Sequence, residues 1–230
     1  MCPMAVMDEQ LGLVRLLHLV SPGQPTGAFS YSQGLEWAVE AGWITDRQDL
    51  AAWLGDLLEE SMARVDLPLL LRMHRACREE QEGVLARWCD ILRACRETDE
   101  LRMEESNRGR ALLSLLRVLE VEQVDRWPHL LESCQLAGFA CAAVHWRIGP
   151  RRAALGYAWA WLENQVMAGI KIIPLGQSEG QQILLRLGPE VVRAVERAAT
   201  LADGEIGSAC QALSIASSRH QDQYTRLYRS

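Results

Sequence analysis

Apolar residues recur along this chain at helical spacing, and no segment alternates apolar and polar positions in the two-residue period of a half-buried strand. Leu13, Leu16, Leu17 and Val20 mark a first amphipathic helix over 8–20. Leu50, Trp53, Leu54, Leu57, Leu58 and Met62 stand at i, i+3, i+4, i+7, i+8 and i+12, and Val84, Leu85, Trp88, Ile91, Leu92 and Cys95 repeat that pattern. Further helices are predicted with Tyr31, Leu35, Ala38 and Val39 on one side and Glu36 and Glu40 roughly opposite, and from Pro68 to about Glu80. Others are predicted from Thr98 through Leu119, around Leu136–Val144, around Val191–Val195, and from about Ala209 to Tyr228. The run Ala153–Gln177 is apolar on nearly all faces, and a helix of that kind has to be enclosed by others. The expected fold is therefore all-α, a single-domain bundle of about ten helices around a central apolar helix at about 151–173.

The breaks between these patterns carry their own signals. Gly42 is expected as a left-handed helix end, and Pro68, Pro150 and Pro189 suit first turns, where the missing N–H costs nothing. Pro174 and Gly176 stop the apolar helix. Thr45-Asp-Arg-Gln48 and Ser178-Glu-Gly-Gln181 read as capping boxes. Ser21-Pro-Gly-Gln-Pro-Thr-Gly-Ala-Phe-Ser30 cannot continue a helix and predicts an ordered turn, as does Asp203-Gly-Glu-Ile-Gly-Ser208. Asp99–Arg110 is almost wholly polar, so the first half of that helix is expected in solvent or at an interface.

With 230 residues and no linker-like stretch the chain can bury one ample core. A net charge of −6 argues against a phosphate-binding surface, so no nucleic-acid partner is expected. Seven cysteines without a C-x-x-C pair fit a reduced compartment. Residues 1–10 lack a basic region followed by an apolar run, and Glu163, Asn164, Gln165 and Lys171 interrupt the longest apolar stretch. A cytoplasmic protein without a membrane segment is expected, with residues 1–7 disordered.

Catalytic patterns are missing. Lys171, the only lysine among 24 Lys and Arg residues, lies in Ala-Gly-Ile-Lys-Ile-Ile, without the glycine loop or the hydroxyl of a nucleotide-binding P-loop. The five histidines never pair at i, i+4, and G-x-S-x-G does not occur. Met1-Cys-Pro-Met4 offers soft sulfurs but makes a poor metal site. Asp99, Glu100, Glu104 and Glu105 invite comparison with a magnesium-binding acidic helix, yet Arg102, Arg108 and Arg110 are interleaved, and i, i+4 ion pairing explains them better. No enzyme activity and no cofactor of its own are expected.

Three non-catalytic clusters remain. The proline-glycine loop ending at Tyr31 is either a recognition surface or a tight helix connection. Lys171 either offers its ammonium to a partner or simply reaches solvent past its own apolar stem. Near the C-terminus, Arg219, Asp222 and Arg226 share a helical face, where an arginine can grip a carboxylate bidentately or an Asp222–Arg226 pair can form. His220 falls on the apolar stripe, as a packed core histidine does.

Taken in order, these pieces resemble the urease accessory protein UreF family. The matching stretches are Pro25-Thr-Gly-Ala-Phe-Ser-Tyr-Ser-Gln-Gly-Leu-Glu-Trp37, Val65-Asp-Leu-Pro68, Cys95-Arg-Glu-Thr-Asp-Glu-Leu-Arg102, Met167-Ala-Gly-Ile-Lys-Ile-Ile-Pro-Leu-Gly-Gln177, Asp203–Ser208 and Arg219–Ser230. Gln24 and Gln221 depart from the family pattern. The resemblance implies an all-helical homodimer that binds UreD, also called UreH, and through it the urease apoprotein. It implies recruitment of the GTPase UreG, which handles nickel and GTP-Mg, so that GTP hydrolysis is coupled to nickel insertion and carbamylation of an active-site lysine. The tail, about 209–230, is then expected to become ordered on binding UreD. Candidate partner-binding residues are Pro25, Gly27, Ser30, Tyr31, Ser32, Gly34 and Glu36 in the loop, and Lys171, Pro174, Gly176 and Gln177 at the end of the apolar helix. Arg219, His220, Tyr224, Arg226 and Leu227 are the candidates in the tail. Two alternatives stay beside this reading: a direct activator that inserts an arginine into the nucleotide site of UreG, where such a finger raises rates ~10³-fold or more, and an all-α enzyme built on the acidic helix.

Overall fold

Helices form wherever the three-to-four-residue apolar spacing demands them. A computed structural model describes residues 3–207 and 210–230, with side-chain surroundings given from residue 7 onward; Met1, Cys2, Ser208 and Ala209 lie outside the described residues. The α-helices are α1 (Pro3–Leu19), α2 (Leu35–Glu40), α3 (Arg47–Leu57), α4 (Leu67–Arg78), α5 (Glu82–Cys95), α6 (Asp99–Val118), α7 (Pro128–Ser133), α8 (Gln135–His145), α9 (Pro150–Ile172), α10 (Gln177–Thr200) and α11 (Gln211–His220). No strand occurs among the described residues.

Several boundaries differ from the sequence expectation, each for a local reason. The helices predicted around Leu50 and Pro68 are one rod: α3 runs through a π-helical segment, Leu58–Asp66, directly into α4. That wider turn carries Asp66 inward, where it is buried. The first capping box sits one residue later than expected. Asp46 rather than Thr45 caps α3, accepting from Gln48 N at 2.7 Å and Asp49 N at 3.0 Å, while Asp49 reaches back to Thr45 N at 2.9 Å. The second is displaced the other way, two residues earlier: Gly176 precedes α10, and Glu179 accepts from its N–H at 2.9 Å. Pro189 opens no new helix but lies inside α10, on its exposed side, where the forfeited hydrogen bond faces water. A short α7 follows Trp127, where a loop was expected. The last helix stops at His220 instead of Tyr228, and residues 221–230 form turns and extended chain.

The most enclosed helix is α8, whose residues from Gln135 to Ala143 are all buried. Its alanines and Gly138 let α4 and α6 approach closely, and a Cβ on Gly138 would come within 3.2 Å of Leu112. The apolar helix α9 buries Ala153, Ala154, Tyr157, Ala158, Leu162, Val166 and Gly169, but leaves Trp159 exposed and Trp161 and Asn164 half-buried. It is thus a wall between the core and the loop 21–34 rather than an axis enclosed on all sides. The polar first half of α6 is solvated on one side only, where Asp99, Met103 and Arg110 are exposed. Glu104 and Glu105 are buried and Glu100 is largely covered, each matched to a cation.

Candidate functional site

The loop 21–34 runs from α1 to α2 over the outer side of α9 and α6. Its turns are set by hydrogen bonds such as Gln24 N to Ser21 O at 3.1 Å, and by Gly27, whose φ of 71° suits glycine. Gln33 and Gly34 follow each other at φ 54° and 80°. A non-glycine residue at positive φ is strained by about 1–3 kcal/mol and persists only where its surroundings hold it. Gln33 is held from three sides. Its Oε1 accepts from Trp161 Nε1 at 2.9 Å and more weakly from Gln165 Nε2 at 3.4 Å, and its Nε2 donates to Glu104 Oε1 at 3.0 Å. Because indole only donates and carboxylate only accepts, the two ends of this amide are chemically assigned. Asn164 adds a donor to Ala28 O at 3.1 Å, tying the loop to α9 again. Between loop and helix lies a cavity of about 330 Å³ bordered by Leu19, Phe29, Tyr157, Asn164 and Lys171.

The tail closes the other side of the loop. Thr98 caps α6, accepting from Leu101 N at 3.3 Å, and its hydroxyl also meets Ser217 Oγ of α11 at 2.7 Å. Residues 221–230 then return as a strap across α2 and α6. Main chain meets main chain from Arg229 N to Ser30 O and from Ser32 N to Ser230 O, both at 2.8 Å, and Ser32 Oγ donates to Ser230 O at 2.6 Å. Glu36, expected on the open side of α2, is buried instead. Its Oε1 accepts from Leu227 N at 2.7 Å and its Oε2 from Tyr228 N at 2.9 Å. Arg226 donates to Glu100 at 2.9 Å, and Ser230 Oγ to Glu104 at 3.2 Å. Hydrogen bonds to a buried carboxylate contribute roughly 1.5–3 kcal/mol each, so buried Glu36 on α2 and buried Glu104 on α6 are the main anchors of the strap.

Behind this face lies a buried charge network. Arg96 grips Asp66 with two nitrogens, at 2.5 and 3.3 Å, and Glu105 at 3.2 Å, while Glu105 also accepts from Leu136 N at 3.1 Å. Arg108 donates to Glu104 at 2.9 Å. Burial disfavours both guanidinium charges, yet Asp66 and Glu105 beside Arg96, and Glu104 beside Arg108, hold their pKa values above the usual one. Burial, with Asp66 and Glu105 nearby, pushes the Tyr157 phenol up, so it stays a donor to Gln135 Oε1 at 3.3 Å.

The sequence candidates therefore fall into a buried and an open set. Tyr31, Ser32, Gly34, Glu36 and His220 are buried beneath the strap. The Tyr31 hydroxyl accepts from Asn107 Nδ2 at 3.2 Å, so this ring supports the face from inside. Pro25, Arg219, Tyr224, Arg226 and Leu227 are exposed, and Gly27 and Ser30 are half-buried. Lys171, Pro174, Gly176 and Gln177 are exposed at the junction of α9 and α10. Lys171 lies in the last turn of α9, where a cation complements the helix dipole. Sequence reasoning missed Gln33, Glu100, Glu104 and Ser217 as parts of this site. A signal existed for α6: Glu105 and Arg108 continue the stripe of Leu101, Leu112 and Leu116, the positions that face the core.

The arrangement supplies hydrogen-bonded surface rather than a reacting centre. Among the described residues no group of three His, Cys, Asp or Glu is placed to hold a metal ion, and no helix is long and apolar enough to cross a membrane.

Comparison with known proteins bears on the whole chain. The UreF family model matches residues 44–188. A urease accessory protein UreF of Pseudomonas putida strain W619 is 48% identical over 224 residues, covering 97% of this chain and 100% of that protein. One from Alcanivorax borkumensis is 46% identical over 94% of this chain and 97% of its own length. One from Klebsiella pneumoniae is 45% identical over 227 residues, 99% of this chain and 100% of that protein. Loop and strap lie outside the residues of the family match.

Proposed function

Because this chain belongs to the urease accessory protein UreF family, we propose that it works as a scaffold in urease maturation, binding UreD (UreH) and recruiting the GTPase UreG to the urease apoprotein. In this reading the chain is a cytoplasmic homodimer without turnover or a metal of its own. Nickel and GTP-Mg stay with UreG, and the assembly couples GTP hydrolysis to nickel insertion and lysine carbamylation. The supporting observation is the composite face in which the strap, the loop 21–34 and the α9–α10 junction expose Tyr224, Leu227, Phe29 and Lys171 on a rigidly hydrogen-bonded base. Large apolar side chains held open in this way are what a partner buries. Arg226 is tethered to Glu100, a posture suited to shaping the face and not to reaching into a nucleotide site.

Size-exclusion chromatography with light scattering on the chain mixed with UreD, then with UreG, magnesium and GTP, tests this. The intact chain is expected to form the ternary complex, and a chain cut before Arg219 is expected to lose it. Failure of the intact chain to bind either partner removes the scaffold reading. Stimulation of UreG turnover by this chain in the absence of UreD would instead establish a direct activator.

A further inference from the structure

The loop 21–34, α6, α8 and α9 enclose the cavity of about 330 Å³, and two buried polar atoms of residues on its walls have no hydrogen-bond partner among the described residues. Arg108, on α6, gives Glu104 its Nη1 at 2.9 Å, but the Nε–H of the same guanidinium is unpaired. Gln165, on α9 and only 1% exposed, has an unpaired Oε1. The orientation of that amide is fixed by its neighbours. Indole only donates, so Gln33 Oε1 is the atom that faces Trp161 Nε1, and Gln165 must turn its Nε2 towards the same oxygen, at 3.4 Å. Its own oxygen is left as an acceptor.

The wall of the cavity thus offers one donor and one acceptor, at the two ends of the hydrogen-bonded chain Arg108–Glu104–Gln33–Gln165. Gln33 completes this chain from a strained backbone, φ 54°, and strain of this kind gathers at ligand clamps. Leu19, Phe29, Leu112, Phe139 and Trp161 supply apolar wall. The volume lies at the lower end of small-molecule sites, ~300–1,000 Å³.

Charge decides between classes of ligand. The buried network beside the cavity sets Asp66, Glu104 and Glu105 against Arg96 and Arg108, so carboxylates already outnumber guanidiniums. Glu163 and Lys171, which also border the cavity, offset each other. An anion would add to the excess in a poorly hydrated interior. A cation would leave the Arg108 N–H unpaired and stand beside a like charge. A neutral amide avoids both faults, because its carbonyl accepts from Arg108 and its N–H donates to Gln165.

We propose that this cavity is a binding site for a small neutral molecule that carries a primary amide on a flat apolar body, with Arg108 and Gln165 as its polar contacts. No residue of 211–230 borders the cavity, so binding does not depend on the tail. An occupant touches both the loop 21–34 and α9. Any effect it has on partner recruitment rests on the scaffold reading above, whereas the binding itself does not.

Ligand-detected saturation-transfer NMR on the isolated full-length chain tests this, with benzamide as the probe and benzoate as its anionic counterpart of similar shape. Benzamide is expected to bind saturably with a Kd of about 1 mM or tighter, and benzoate at least about tenfold more weakly. Gln165→Met nearly keeps the volume but removes the acceptor, and it is expected to weaken benzamide binding about tenfold, the ratio for one hydrogen bond lost in a buried site. If that variant fails to fold by circular dichroism, Ala160→Phe takes its place: it fills the cavity from a half-buried position on α9 and is expected to abolish binding. Absence of saturable benzamide binding would mean that the cavity holds water alone, and it overturns the proposal. Benzoate that binds as tightly as benzamide, or a folded variant that binds benzamide as the wild type does, overturns it equally.

Discussion

Gly34 presses against Ser217: a Cβ on this glycine would stand 2.7 Å from the Ser217 backbone nitrogen and 2.9 Å from the carbonyl carbon of Ala216. No side chain fits between α2 and α11, and Gly34 also sits at φ 80°, where L-residues are strained. Gly34→Ala is expected to cost at least ~2 kcal/mol, combining left-handed strain with overpacking, and to loosen α11 and the strap. Gly42→Ala is the control, because Gly42 has a similar φ of 75° but open space around it, so only the backbone strain of about 1–2 kcal/mol applies. Urea unfolding of the two variants checks the difference, and equal losses would show that the α2–α11 contact yields easily.

The second prediction concerns the buried arginine of the charge network. Arg96→Met removes the partner of both Asp66 and Glu105, and breaking a buried pair from one side costs ~3–5 kcal/mol. Adding Asp66→Asn and Glu105→Gln to that variant is expected to recover most of the loss, since no uncompensated charge then remains. Denaturant midpoints of the single and triple variants measure this. A loss below about 1 kcal/mol in the single variant would mean that water reaches the carboxylates.

Arg226 separates shape from function. Its guanidinium is partly exposed and bonded to Glu100, and an ion pair of that kind contributes only ~0.2–1 kcal/mol. Arg226→Ala is therefore expected to leave helicity and thermal midpoint nearly unchanged while weakening recruitment of UreG to the UreD-bound chain. Pull-down with immobilised UreD reports recruitment, and circular dichroism reports the fold. A drop in helicity of the same variant would assign Arg226 a structural role instead.

A pH effect arises at His74. This ring is buried between α4 and the segment before α9, and its Nε2 donates to Ile148 O at 2.9 Å. Burial, chiefly, lowers its pKa below the ordinary 6.5, more than the hydrogen bond to Ile148 raises it, and Arg78 adds to the lowering. A folded-state value below the unfolded one means that acid favours the unfolded chain. The contribution is complete above pH 6.5 and is lost as pH falls towards and through the folded value. The stability difference between wild type and His74→Asn, measured by urea unfolding at a series of pH values, is expected to shift against wild type below that point. A difference that does not change on acidification rules out His74 as the source.

How far these features can be read from the chain depends on the kind of residue. Leu50, Leu54, Leu57, Leu85 and Leu92 were legible because a helix face is a local property, fixed by spacing within a dozen residues. Gly42 and Pro150 announced helix ends for the same reason. The shift at Thr45 came from competition between Thr45 and Asp46 for the same free N–H groups, which spacing alone does not rank, while α10 starts before Ser178, directly after Gly176. Pro189 misled because an exposed helix position tolerates the loss of one hydrogen bond.

Glu36, Glu100 and Glu104 show the larger gap. Each has the composition of a solvated face, and each is turned into an anchor by residues more than a hundred positions away in the chain: Leu227 and Tyr228, Arg226, and Ser230. The order of motifs from Pro25 to Ser230 was enough to identify the family, and the periodicity was enough to establish an all-α chain. Which glutamates lie under the strap, and that Tyr31 supports the face from within, was decided only by tertiary packing. Burial of a charge depends on a partner arriving from elsewhere in the fold, and no local pattern encodes that arrival.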